Sequence, residues 1–418
     1  MRRPALVLAC LFAAAAPSGA ASPNPEDLVP TPEVRVKCRA LVRQLGSEDF
    51  TEREDAQKQL AALGRSARPA LLAGANTSSD PEVRARCAQL LPAANALDLQ
   101  AKLETFLADT DGRYEHDLAA WKTFRAVVCN EWSFCGHTLW SDRALERAAR
   151  QVFVEMVATH ANRRLLMAVD GSRVELTELV VARKMDLYGQ RGLRGEGDGR
   201  PLTLDEMAAL LFADSRVGSQ YIPRRSVSIG SALSGSGFVS AARGGDDKAK
   251  VYRAIAAAWL DSRNEPREMT SAMSVASSLD LNDQAAGLAA RLFSMPGVTA
   301  LVRGRAASNL VSYGGKKHIP LLEKALADTV VVASVRPAAP TDGAGELYEV
   351  QVRDVALGVA IALAEQKPED YGFTDRYAGV PGYENRYYAH TRYYFADDAA
   401  RKKAFAKWAE WRKANPNG

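Results

Sequence analysis

The sequence predicts an all-α protein, namely an α-solenoid of short helical hairpins with an irregular helical middle region and a C-terminal capping helix. Three observations lead to this prediction. A segment of eleven residues recurs 49 residues later, helix-start signals precede most of the apolar stretches, and strand signals are confined to one short region. Short helices that recur with the same internal pattern are the signature of a helical repeat architecture.

The repeated segment occupies residues 32–42 and again residues 81–91. Each copy begins with Pro-Glu-Val-Arg and carries Val, Cys and Leu at offsets i, i+4 and i+7, which share one face of a helix. Proline and glutamate both suit the first turn of a helix. We therefore expect Cys38 and Cys87 to be small buried core residues rather than an inter-repeat disulfide.

Two four-residue sequences match the capping box, in which a hydroxyl and a carboxylate each accept a hydrogen bond from a free backbone amide. They are Thr51-Glu-Arg-Glu54 and Thr203-Leu-Asp-Glu206. Gly64 follows the first of the two predicted helices and is expected to end it. The only strand signals lie at 329–335 and 347–352, and the Pro/Gly-containing linker between them predicts a surface excursion or a hairpin.

A last helix is predicted from Asp397 to Ala414. Its apolar residues Ala400, Ala404, Trp408 and Trp411 lie at offsets 0, 4, 8 and 11, and basic residues lie on most other faces. Two interpretations compete. The helix closes the exposed end of the helical stack, or it lies on an anionic membrane as a basic amphipathic helix. We favour the cap, because the apolar stripe is narrow and rich in alanine.

The first twenty residues predict export. Arg2 and Arg3 precede a twelve-residue apolar stretch at 5–16, and small residues follow at 17–20. Twelve apolar residues are too few to span a bilayer, so we expect a periplasmic or secreted protein without stable membrane insertion. With 54 basic and 50 acidic residues the chain is nearly neutral, which argues against a dedicated nucleic-acid binder.

Two blocks of the chain resemble HEAT-like repeats. The run 63–72 is followed by 80–86, and Gly315-x4-Pro320-Leu-Leu322 mirrors the Gly-x4-Pro-Ala-Leu pattern of the first run before 350–357. The layout is similar to exported bacterial HEAT-like-repeat proteins of uncharacterised role, through Arg353-Asp-Val-Ala-Leu357, Tyr371-Gly-Phe373 and the Trp-rich last helix. The resemblance implies a fold of HEAT-like helical hairpins and no catalytic residues.

The predicted organisation therefore has five parts. These are a signal peptide (1–20), N-terminal HEAT-like repeats (21–100), a helical middle region with Gly/Ser-rich loops (101–245), a second HEAT-like array (246–372), and a Tyr/Arg-rich segment with the C-terminal helix (373–418).

Four cysteines follow the predicted signal peptide, and two of them, Cys129 and Cys135, are close in sequence. In an oxidising compartment they are candidates for a local disulfide. The alternative is a metal site that adds His137, but Cys-x5-Cys-x-His lacks a second ligand pair at a recognised zinc spacing.

Motifs of catalysis are absent from the sequence. The Ser/Gly-rich stretch at 226–240 contains no Gly-x-Ser-x-Gly, and the five histidines form no His-x-x-x-His pair. We therefore predict a protein that is not an enzyme and has no cofactor or metal.

Residues 371–394 hold seven of the thirteen tyrosines, with arginines interleaved. Aromatic residues with arginine are typical of interface hot spots, and they also stack on sugars. The other possibility is that the segment lies along the last repeat and buries its rings. The candidate partner-binding residues are Tyr377, Tyr383, Arg386, Tyr387, Tyr388 and Arg392.

The predicted function is a non-enzymatic exported scaffold that binds another protein on a concave surface, since stacked repeats form long grooves without a chemical centre. Two alternatives remain open. One is a hydrolase or lyase with a site in the middle region, and the other is a carbohydrate-binding module that uses the Tyr/Arg-rich tail.

Overall fold

The computed structural model describes residues 21–133, 143–189, 202–218, 229, 232–233, 236–335, 347–373 and 390–416. Helices dominate these residues, in agreement with the predicted all-α class. None of the described helices is both long and apolar enough to cross a membrane.

The described chain forms two compact units. The first comprises 21–121 and 143–154, and the second comprises 122–133 and the described residues from 155 to 416. The helices up to residue 158 are α1 (Pro32–Gln44), α2 (Phe50–Leu63), α3 (Arg68–Thr77), α4 (Pro81–Ala108), α5 (Trp121–Ser133) and α6 (Arg143–Ala158).

The two copies of the repeated segment open α1 and α4. The Thr31 hydroxyl accepts a hydrogen bond from the Val34 amide, and an Asp80 carboxylate oxygen accepts one from the Glu82 amide at 2.8 Å. Cys38 and Cys87 are free thiols buried in one hydrophobic cluster, which confirms the prediction of two core residues.

The predicted capping box at Thr51 is wrong. Helix α2 begins two residues earlier than that cap requires, at Phe50, and Asp49 is its N-cap, with a carboxylate oxygen 2.7 Å from the Thr51 amide nitrogen. Aspartate caps as well as threonine does, and here it comes first along the chain. The end of α2 is as predicted, because Gly64 follows it with a φ of +53° that suits glycine.

The remaining elements are α7 (His160–Val169), α8 (Arg173–Gly189), α9 (Leu204–Val217), α10 (Phe238–Ala242), α11 (Asp247–Asp261), α12 (Pro266–Ser278), α13 (Asn282–Ser294), α14 (Ala300–Tyr313), α15 (Ile319–Glu323), β1 (Val331–Val335), β2 (Tyr348–Gln351), α16 (Val352–Leu363) and α17 (Asp398–Ala414). The predicted capping box of Thr203 and Glu206 is present at the start of α9. Helix α12 packs on α13, α13 on α14, and α14 on α16.

The two strands form an antiparallel pair in which Val335 lies opposite Tyr348. Both lie inside the stretches with strand signals, so a strand pair at this place was predictable. The linker between them lies outside the described residues.

Helix α16 is almost entirely buried, and its Gly358 allows an aromatic ring to approach closely. A methyl group on Gly358 would overlap the ring of Tyr393, with Cε1 only 2.5 Å away. Tyr393 is itself 1% exposed and lies edge-on to Phe373, with ring centroids 5.8 Å apart. Packing against Tyr393 is therefore the reason for a glycine at this position. The backbone does not require one, since the φ of Gly358 is an ordinary helical value.

We expect Gly358→Ala to lower the free energy of unfolding by about 2 kcal/mol, because overlap inside a packed core outweighs the better helix propensity of alanine. The matched control is Gly287→Ala in α13. A methyl group there would meet no atom within 4 Å, so alanine should stabilise by up to about 1 kcal/mol. Urea unfolding of the three proteins measures both changes, and equal effects of the two substitutions would contradict the packing argument.

Candidate functional site

The candidate site is an open groove in the second unit, with a volume of about 1060 Å³. Three parts of the chain line it. They are the turn at 244–246 with one face of α11, the turn at 280–281 with the start of α13, and the pair Lys317 and His318 before α15.

Small residues leave the space for this groove. Ala254 and Ala257 present only methyl groups from α11, and Gly287 presents none from α13. A side chain at Gly287 would extend into open space, since nothing lies within 4 Å of its Cβ position.

The spacing within α11 explains why it lines the groove along its length. Lys250, Ala254, Ala257 and Asp261 recur at intervals of three and four residues, so they share one helix face. Asp246 fixes the start of α11, because its carboxylate accepts a hydrogen bond from the Ala249 amide at 2.8 Å.

Two of the three basic side chains of the groove already have acidic partners. Lys250 Nζ lies 2.6 Å from Asp247 Oδ1, and Lys317 Nζ lies 3.5 Å from Asp283 Oδ1. The guanidinium of Arg253 has no hydrogen bond or ion pair within the described part of the chain, although the residue is half-buried.

Asp261 occupies the end of α11 in the same groove. Although the side chain reaches solvent, surrounding protein atoms reduce the hydration of its carboxylate and raise its pKa above the usual range. The charge of Arg291 and a hydrogen bond from Gln284 oppose this shift only in part. A cation brought by a ligand would favour the ionised carboxylate.

His318 lies on the other side of the groove. Its Nε2 atom is buried without a hydrogen-bond partner in the described structure. Burial and the neighbouring charge of Lys317 lower the pKa of His318 below its usual value, against the opposing effect of Asp283. At neutral pH the ring is therefore uncharged, and it adds a polar but neutral wall.

Of the candidate partner-binding residues that the sequence singled out, the structure describes Arg392, which does not line the groove. Tyr377, Tyr383, Arg386, Tyr387, Tyr388 and Cys135 are outside the described residues, as is the side chain of Cys129, so the partner-binding and disulfide predictions stay predictions. Arg392 is described and is 7% exposed. Tyr371, Tyr393 and Tyr394 are also buried, so these three rings belong to the core.

No group of three or more His, Cys, Asp or Glu side chains that could hold a metal ion occurs in the described ranges. No family model, no curated protein and no solved structure matches this chain. The groove must therefore be interpreted from its own chemistry: it is long, open, lined by small and charged side chains, and suited to a polar ligand.

Proposed function

We propose that the protein is a non-enzymatic exported scaffold that binds a segment of a partner protein. The groove of about 1060 Å³ carries this proposal, because it runs along α11 and is lined by consecutive parts of a helical array. Such grooves are how stacked helices bind extended partners, using side chains from successive elements and no chemical centre.

The architecture within this proposal is an α-solenoid of HEAT-like hairpins with α17 as its terminal cap. Helices that are neighbours in sequence pack on each other in both units, as α3 does on α4 and α13 does on α14. Helix α17 contacts α16 and buries Ala404 and Trp408, which suits an element that covers the last helix of a stack.

Export is the second part of the proposal. The basic, apolar and small-residue pattern of residues 1–20 supports it. An exported scaffold would act in the periplasm or outside the cell. The partner is then another exported or surface protein.

The proposal is tested by filling the groove. We expect Gly287→Trp to fold normally, since the new side chain enters open space, and to abolish partner binding. The matched control is Ser294→Trp, an exposed position on the same helix outside the groove. Partners are identified by chemical cross-linking in the exported fraction of the source cells, followed by mass spectrometry.

The expected result is one set of cross-linked proteins shared by the wild type and Ser294→Trp, and absent from Gly287→Trp. The same set with all three proteins would show that the groove does not bind the partner.

A further inference from the structure

We propose that the groove recognises a partner segment carrying both charges, with an acidic side chain bound by Arg253 and a basic side chain bound by Asp261. The two charged residues of the partner would lie three to four positions apart in an extended chain. This inference rests on the proposed function and adds the chemistry of the partner to it.

Arg253 determines where the acidic side chain of the partner segment binds. Of the basic residues that line the groove, Lys250 and Lys317 have acidic partners, whereas Arg253 has none within the described part of the chain. Arg253 is half-buried as a residue, and its guanidinium has no protein carboxylate to pair with in the described part of the chain. The planar N–H donors of a guanidinium match the two oxygens of a carboxylate. A carboxylate of the partner would therefore accept two hydrogen bonds from Arg253.

Asp261 determines where the basic side chain of the partner segment binds. Arg291 is the cation near it, but its guanidinium donates to backbone carbonyls, at 3.1 Å to Asp261 O and 3.5 Å to Leu260 O. The Asp261 side chain reaches solvent at the groove and has no ion pair among the described residues, and the protein around it raises its pKa. The side chain of Asp280 lines the same groove and has no ion pair among the described residues. A lysine or arginine of the partner would therefore enter an acidic environment.

The spacing follows from helix geometry. Arg253 and Asp261 are eight residues apart on α11, and a rise of 1.5 Å per residue separates them by about 12 Å along the axis. An extended chain advances about 3.3 Å per residue, so about three to four residues span that distance. Ala254 and Ala257 lie between the two charged positions and leave room for the partner's backbone.

The experiment measures binding of defined peptides to the mature full-length chain by fluorescence anisotropy. The probes are labelled ten-residue Gly/Ser/Ala peptides with one Glu and one Arg, placed either four positions apart or adjacent. Two further peptides carry Glu and Glu, or Arg and Arg, at the wider spacing. We expect the tightest binding for Glu and Arg four positions apart.

Substitutions at Arg253 then identify the contact. Arg253→Gln should weaken binding of that peptide tenfold or more, as expected for loss of a charge-assisted hydrogen bond. Arg253→Glu should instead prefer the peptide with two arginines. Lys402→Gln, which removes an exposed cation of α17, is the control and should leave the affinity unchanged.

The outcomes separate the two proposals. If Gly287→Trp abolishes peptide binding but Arg253→Gln and Arg253→Glu change nothing, the groove binds polypeptides and the charge assignment is overturned. If none of the four peptides binds while cross-linking still depends on Gly287, the charge assignment is again overturned and the scaffold function stands. If Gly287→Trp has no effect in either assay, the proposed function itself fails.

Discussion

Replacing Arg263 by methionine is expected to lower the free energy of unfolding by about 3–5 kcal/mol, because it leaves a buried carboxylate without its main cation. Arg263 is completely buried. Its Nη1 donates to Asp214 Oδ2 at 2.9 Å and to Glu268 Oε2 at 3.1 Å, and its Nη2 donates to the Asp214 carbonyl at 2.9 Å. Methionine keeps much of the volume and removes the charge.

The cluster around Arg263 shows why the loss would be large. Asp214 also accepts a hydrogen bond from Trp259 Nε1 at 2.8 Å, and Lys184 Nζ lies 2.8 Å from its other oxygen. Asp214 is fully buried as well, so water cannot replace the guanidinium. Among the described residues, Lys184 would then be the one cation left beside Asp214 and Glu268.

The control for this prediction is Lys316→Met. Lys316 forms an ion pair with Glu365 at 3.7 Å, but both side chains are largely exposed, at 49% and 80%. Exposed pairs of this kind contribute between about 0 and 1 kcal/mol. Denaturant unfolding at neutral pH compares the two variants, and similar small losses would show that the buried cluster does not stabilise the second unit.

The sequence could predict those features that depend on a few neighbouring residues. The start of α9 was predictable because Thr203 and Glu206 satisfy each other's backbone amides. The start of α2 was mispredicted by the same rule, because Asp49 competes for the cap two residues before Thr51. Local rules therefore find an element and misplace its boundary when two capping residues lie close together.

Features that depend on tertiary contacts were not predictable. Arg263 follows the end of α11 in a polar stretch that reads as a surface turn, yet it contacts Asp214, 49 residues earlier. The groove could not be predicted for the same reason. Arg253, Gly287 and His318 come together only when α11, α13 and the turn before α15 pack. The one local signal was the glycine inside α13, a helix whose buried positions are all apolar. Nothing lies within 4 Å of the Cβ position of Gly287, so no packing contact requires a glycine there.

Trp408→Ala is expected to lower the free energy of unfolding by about 3–5 kcal/mol, the usual effect of truncating a buried aromatic residue. Trp408 is 2% exposed and its Nε1 donates to Glu323 Oε1 at 3.2 Å. It also stacks on Trp411 with ring centroids 5.1 Å apart. Trp411 is only half-buried, so Trp411→Ala is the matched control and should cost much less.

The same pair of variants distinguishes the two interpretations of α17. If the helix is a terminal cap, Trp408→Ala lowers the thermal midpoint by roughly 10 °C, while the wild type and both variants show only background binding to anionic vesicles. If the helix lies on a membrane, its tryptophans are needed for vesicle binding rather than for folding. An unchanged midpoint together with lost binding to phosphatidylserine vesicles would overturn the cap. The hydrogen bond to Glu323 favours the cap, because burial of Trp408 against the folded chain keeps its ring away from lipid.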